Sequence, residues 1–149
     1  RAMMVFDDNI DPAAVGLSLE SPSARSDRFL RERAQTADVV ARVRVQTVTA
    51  ESNGEDTTYR LGLQVGVPQL RKPNLPDLSF ELTIRSTSPS YGIAKAFDTR
   101  LRGLTFIGFL SRFAGPDDEP VVHFHLAADT AEVASAIKEA VALGEISGS

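Results

Sequence analysis

Two histidines near the end of the chain have the residue type and spacing of metal ligands. His123 and His125 are separated by one residue, and side chains two apart on a β-strand project from the same face. Two neutral imidazoles placed in this way can bind a divalent metal such as Zn²⁺. A third ligand is expected among the nearby acidic residues: Asp117, Asp118, Glu119 or Asp129. The alternative is that both histidines pack beneath a helix or lie at the surface, because the chain has only two histidines.

Arginines on the polar side of the predicted strands form a second candidate site. Arg42, Arg44, Arg60 and Arg71 are predicted to line one outer face of the sheet. Guanidinium groups there would bind the carboxylate or phosphate of an anionic ligand. The alternative is a solvated face whose charges discourage pairing with other chains. Tyr91, in the connection 88–93, is a further candidate for contact with a ligand or partner, and its alternative is a packed ring with its hydroxyl bonded to the backbone.

Several other kinds of chemistry lack the residues they require, and no catalytic residue is assigned. The chain has no cysteine, which excludes a disulfide, a thiolate metal site and a cysteine nucleophile. It contains neither a serine nucleophile elbow nor a glycine-rich phosphate loop. Sixteen basic residues against twenty acidic ones give a net charge of −4, so nucleic acid is not an expected partner. No apolar run reaches the roughly eighteen residues of a membrane-spanning helix.

Period-two alternation of apolar and polar residues predicts five strands, which must position these side chains. The first two form a hairpin over 38–67 that reverses at Asn53-Gly54, with Thr47 on the same side as Val45. Three more strands are predicted at 78–85, 104–113 and 121–127. The strand 104–113 is apolar on both sides and is therefore expected to be covered on both faces.

Helical spacing predicts three helices around these strands. The first runs from about Ala24 to Thr36 after a Ser23 cap, and a short one lies within 91–102. The last begins at a capping pattern formed by Asp129 and Glu132 and stops at Gly144. We accordingly predict an extended lead-in over 1–23, one domain over 24–144 and a frayed tail over 145–149.

The predicted fold class is α+β and β-rich: a small five-stranded antiparallel barrel of the oligonucleotide/oligosaccharide-binding (OB) type, or a curled sheet, with an N-terminal and a C-terminal helix. The segments TADVVARVRVQTVTAES, TYRLGLQV and LTFIGFLSRF, followed by the last helix, resemble the order found in netrin-like and metalloprotease-inhibitor-like OB modules, over about 36–143. The resemblance implies a secreted binding module. Those modules are commonly pinned by cysteines, which this chain lacks, so no residue role is carried over.

The sequence therefore favours a non-enzymatic binding or assembly module that contacts another protein and needs no cofactor. The alternative is a metal-binding or metal-assisted enzyme domain centred on His123 and His125. A carrier with a small ligand inside the barrel is a third hypothesis. The expected location is exported, periplasmic or extracellular, with an upstream lipid anchor as one route and a cytoplasmic location as the alternative.

Overall fold

A computed structural model describes residues 5–17, 27–71, 76 and 78–146 of the chain. Its centre is a six-stranded mixed sheet in the order β1-β6-β5-β2-β3-β4. The strands are β1 (Asn9–Ile10), β2 (Val39–Asn53), β3 (Asp56–Val65), β4 (Ser79–Ile84), β5 (Thr105–Ala114) and β6 (Pro120–Ala128). The helices are α1 (Leu30–Thr36), α2 (Tyr91–Phe97) and α3 (Ala131–Ile146), with short 3-10 turns at Pro12–Val15, Asp98–Leu101 and Pro116–Asp118.

The α+β class and the C-terminal helix are confirmed, whereas the five-stranded barrel is wrong. The sheet does not close, and it has a sixth strand, because the predicted lead-in pairs with the sheet. In this segment Asn9 lies opposite His125 and Ile10 opposite Leu126, in parallel register. All the other strand pairs are antiparallel.

A bulge in β2 changes the direction of its side chains halfway along the strand. Val39, Ala41, Val43 and Val45 are buried as predicted, but the register with β3 shifts between Val45 and Thr47. The extra residue reverses the alternation. Thr47 is therefore exposed, contrary to prediction, and Val48 packs on the core instead. At the end of the hairpin Gly54 alone takes a positive φ of 68°, so the predicted Asn53-Gly54 pair supplies only one such residue.

The sheet curls around an inner core and carries a second, outer core beneath its helices. Val43, Leu63, Phe80 and Phe124 share the inner core, as the alternation predicted. The guanidinium of Arg112 on β5 lies 4.5 Å from the ring centroid of Phe80, although two strands separate β5 from β4 in the sheet. This contact is possible only because the sheet is strongly curled.

The outer core explains why β5 is apolar on both sides. Ile107 and Phe109 point to the outer core and pack with Ala34 of α1 and Ile137 of α3. Their neighbours Phe106 and Leu110 point to the inner core. Strand β5 is thus covered on both faces, as its sequence predicted.

The helix termini differ from the predicted ones. The described part of α1 begins at Leu30, and the predicted Ser23 cap lies outside the described residues. At α3 the cap is Thr130, whose Oγ1 accepts a hydrogen bond from the Val133 N–H at 3.1 Å, and not Asp129. Helix α3 continues through Gly144 to Ile146. A Cβ added at Gly144 would lie 3.2 Å from the Gln35 side chain of α1. This glycine permits close approach to α1 and is not the predicted stop.

Candidate functional site

Residues 5–17, which we call the strap, run along the edge of β6 that β5 does not occupy. The Asp8 N–H donates to the Phe124 carbonyl at 2.8 Å and the Asp11 N–H to the Leu126 carbonyl at 2.9 Å. The buried Ser90 hydroxyl donates to the Asp8 carbonyl at 2.7 Å, which ties the strap to the start of α2. The strap is thus an integral part of the sheet edge.

Two aspartates of the strap meet the two histidines of β6, and we call Asp7, Asp8, His123 and His125 the clasp. His123 Nδ1 lies 2.9 Å from Asp8 Oδ2, and His125 Nδ1 lies 2.9 Å from Asp7 Oδ1. The Phe124 N–H also donates to Asp8 at 3.2 Å. The histidines project from one face of β6, as predicted, and their rings lie against Phe113 and Phe109.

The neighbours of the two carboxylates give them opposite pKa shifts. Burial raises the pKa of both groups, because it disfavours the charged form. For Asp7 the hydrogen bond and charge of His125, the charge of Arg33 and the Asn9 N–H outweigh burial, so its pKa is lowered from 3.8. For Asp8 the hydrogen bonds from His123 and Phe124 do not outweigh burial and the negative charge of Asp7, so its pKa is raised from 3.8.

Asp7 also faces Arg33 of α1, whose side chain is only 4% exposed. The Arg33 guanidinium lies 3.6 Å from Asp7 and 3.0 Å from Asp27, and its Nε donates to the Val5 carbonyl. A buried guanidinium is tolerable only with such compensation. Arg33 therefore connects α1 to the strap and, after His125, helps to lower the pKa of Asp7.

The predicted third metal ligands do not join the histidines. Asp129 accepts a hydrogen bond from Arg42 Nε at 2.9 Å, while Asp117 and Asp118 lie in the turn before β6. Within the described ranges no group of three or more histidine or acidic residues is arranged to hold a metal ion. The clasp gives each histidine a carboxylate hydrogen-bond partner, and metal binding stays a prediction.

The outer face of β2, β3 and β4 is the surface that α1 and α3 leave uncovered. It is formed by alternate side chains of the three strands that point away from the inner core, and we call it the outer face. Its exposed or half-buried members include Arg44, Gln46, Thr47, Thr49, Arg60, Gly62, Gln64, Ser79, Glu81 and Thr83. Of the four arginines predicted to line one face, Arg44 and Arg60 lie on this surface, whereas Arg71 does not.

The predicted arginines differ in their partners. Arg42 pairs with Asp129 at 2.9 Å, and Arg60 pairs with Glu51 at 2.7 Å and approaches Glu81 at 3.9 Å. Arg44 is exposed and forms no ion pair with any described residue. Arg71 does not share the outer face: it donates to the Ala34 and Ala37 carbonyls at the end of α1.

Tyr91 lies away from these arginines. Its ring is half-buried, packs against the inner core, and has its centroid 6.0 Å from that of Tyr59 in an edge-on arrangement. The ring is packed as in the alternative considered for Tyr91, but within the described residues its hydroxyl has no hydrogen bond to the backbone. The structure thus brings together Arg44 and Arg60 on one face and the two histidines on another, but places Tyr91 with neither.

A shallow hollow lies on the outer face between β2, β3 and β4, with a volume of about 570 Å³. It is lined by Gln46, Gly62, Leu63, Gln64, Ser79, Phe80 and Glu81. Nothing in the sequence marks these residues, because a polar outward position on a strand looks the same whether it lines a hollow or a flat surface.

In the described part of the chain, no helix is both long and apolar enough to cross a membrane. Comparison of the sequence and structure with protein-family models, curated proteins and solved structures finds no match. Nothing in these comparisons bears on the resemblance to netrin-like modules, which stays a prediction. The geometry of the described residues is therefore the basis for any function assigned to the chain.

Proposed function

We propose that this chain is a non-enzymatic binding module that contacts another protein through the outer face. The observation that carries the proposal is the uneven covering of the sheet. Helices α1 and α3 and the strap cover β5, β6 and the start of β2 at Val40, whereas no described element covers the outer sides of β3, β4 and of β2 from Arg44 onward, which contain a hollow. Concave, exposed surfaces on a rigid sheet are where binding groups are commonly placed.

The chemistry of the outer face supports a protein partner. Threonine, glutamine and serine side chains supply hydrogen-bond donors and acceptors, and both signs of charge are present through Arg44, Arg60 and Glu81. Such a mixed surface is typical of non-obligate protein interfaces, in which polar groups form much of the contact. An exported or envelope location remains part of the proposal.

Site-specific photo-crosslinking in the native cell tests the proposal. A photoreactive phenylalanine replaces Gln64 on the outer face or, as the control, Lys138 on the exposed side of α3. We expect Gln64 to give a discrete product that contains this chain and one other protein, and Lys138 to give none of that product. Products that contain only this chain, equal products from both positions, or no product from Gln64 would contradict the proposal.

A further inference from the structure

The outer face contains one cation that the rest of the described chain leaves uncompensated. Arg42 and Arg60 each have a carboxylate within 3.0 Å, supplied by Asp129 and Glu51. Arg44 lies two residues after Arg42 on β2, is exposed, and has no ion pair or hydrogen bond from its side chain to a described residue. The difference is not one of burial, because Arg42 is exposed as well.

Arg44 lies in a row of polar side chains that crosses β5, β2, β3 and β4, and its neighbour on β5 is Thr105. Arg44 lies opposite Gln64 in the β2–β3 register, and Gln64 lies opposite Ser79 in the β3–β4 register. Residues directly opposite in antiparallel strands have Cβ atoms about 4.5–5.5 Å apart. Neither Gln64 nor Ser79 uses its side chain in a hydrogen bond within the described residues. The row therefore offers a guanidinium, an amide and a hydroxyl to an outside group.

The hollow beside this row determines which shape fits. Gln64 and Ser79 belong to the row and also line the hollow, together with Gly62. The Thr47 side chain packs over Gly62, where a side chain on that residue would otherwise lie. A shallow hollow on a sheet surface can accept an extended segment of polypeptide, with alternate side chains reaching the strands below.

The charges around the hollow limit the charge of the occupant. Arg44 is a fork of donors that suits a carboxylate, but Glu81 also lines the hollow and is only partly offset by Arg60, 3.9 Å away. In the strand register Glu81 lies opposite Gly62 and not in the row of Arg44, Gln64 and Ser79, so a single carboxylate can bind Arg44 without contacting Glu81. A densely charged occupant such as a nucleic acid backbone would be repelled by Glu81 and by the net charge of −4.

We propose that Arg44 binds a single carboxylate on an extended segment of the partner protein, with Gln64 and Ser79 donating hydrogen bonds beside it. This inference rests on the proposed function, because it specifies the chemistry of the partner at the same face. On this proposal Arg44 selects partner segments that carry a carboxylate, whereas Arg42 and Arg60 remain paired with Asp129 and Glu51.

Two capped pentapeptides test this recognition directly: one has a central glutamate flanked by threonines, and the matched control has glutamine in its place. Binding is measured by NMR titration of the backbone amides. We expect the glutamate peptide to shift the amides of Arg44, Gln64 and Ser79 and to bind roughly three- to tenfold more tightly than the glutamine peptide. Equal binding of the two peptides, no binding, or shifts confined to α3 would overturn the inference.

Arg44→Gln and Arg60→Gln provide the matched variants. Arg44→Gln should remove the preference for the glutamate peptide, whereas Arg60→Gln should keep it, with circular dichroism confirming that both variants are folded. Persistence of the preference in Arg44→Gln would overturn the inference.

Photo-crosslinking from Thr49, which lies on the outer face but outside the row and the hollow, separates this inference from the proposed function. If the product forms equally well with and without Arg44→Gln, carboxylate recognition fails while the binding face stands. If the chain that retains Arg44 gives no product, the proposed function itself fails.

Discussion

Asp7 and Asp8 are adjacent and each bonds a histidine at 2.9 Å, yet removal of their charges should change the stability of the fold by different amounts. The pKa of Asp7 is lowered, so its ionised form stabilises the fold above pH 3.8, and this stability is lost as the pH falls through the lowered pKa. The pKa of Asp8 is raised, so its contribution is present below pH 3.8 and is lost as the pH rises through the raised pKa. Of these two carboxylates, only Asp7 stabilises the fold in its charged form at neutral pH.

The perturbation is Asp7→Asn compared with Asp8→Asn. Asparagine keeps an oxygen for the Asn9 N–H and for His125, but it loses the attraction of Arg33, 3.6 Å away, and the charge assistance of the His125 bond. A bond to a charged group contributes about 1.5–3 kcal/mol against about 0.5–1.5 kcal/mol for a neutral one. Because Asp7 is one-third exposed, solvent screening keeps the expected loss at about 1–2 kcal/mol.

Asp8→Asn should cost much less. The asparagine oxygen can still accept from the Phe124 N–H and His123, and asparagine tolerates the positive φ of 55° at this position. Removing a charge that burial disfavours offsets what is lost, so the expected change is within about 0.5 kcal/mol, of either sign. The two substitutions thus serve as controls for each other.

Urea unfolding followed by far-ultraviolet circular dichroism measures both effects, since the chain has no tryptophan. In thermal unfolding at neutral pH, the loss expected for Asp7→Asn corresponds to a Tm roughly 2–8 °C lower for a chain of this length. The loss should shrink at a pH well below 3.8, where Asp7 is protonated in the unmodified chain as well. An Asp8→Asn chain that is less stable than the Asp7→Asn chain at neutral pH would refute the reasoning.

Three further stability predictions follow from the packing and can be measured in the same unfolding assay. Thr130→Ala should cost about 1 kcal/mol through loss of the α3 cap, whereas Asp129→Ala should cost at most about 1 kcal/mol, because it breaks only an exposed ion pair; the reverse order would contradict the assigned cap. Ile137→Ala should cost about 2–5 kcal/mol and Ile146→Ala less than about 0.5 kcal/mol, since Ile137 is fully buried and Ile146 is 80% exposed. Gly108→Ala should cost about 1–3 kcal/mol, because its Cβ would lie 3.2 Å from two valine methyl groups of β2; an unchanged stability would show that this contact relaxes.

The parts of the fold that the sequence predicted are those governed by local periodicity. The alternation in β2 to β6 specifies which side chains face inward, and the shared inner core of Val43, Leu63, Phe80 and Phe124 confirms it. The double-sided apolar pattern of β5 likewise predicted two covered faces. These features need only neighbouring residues, because a strand's side chains alternate whatever the partner strand is.

The strap and the clasp could not be predicted in this way. Strand β1 has only two residues, and no periodic pattern emerges from so short a segment. Its pairing with β6 joins residues more than a hundred positions apart, so Asp7 and Asp8 look like solvated turn residues until the register is known. The predicted α3 cap was wrong because of another long-range contact. Asp129 and Thr130 are both good capping residues, but Asp129 is bonded to Arg42 of β2.

The bulge at Gln46 accounts for the separation between the covered and the open parts of the sheet. Strand β2 pairs with β5 only as far as Arg44, and the register shift with β3 follows at Val45 to Thr47. Bulges bend a strand and increase its twist, so the β3–β4 part of the sheet turns away from the helices that cover β5 and β6. Arg44, the last residue of β2 in register with β5, therefore stands at the boundary between the covered and the open parts of the sheet.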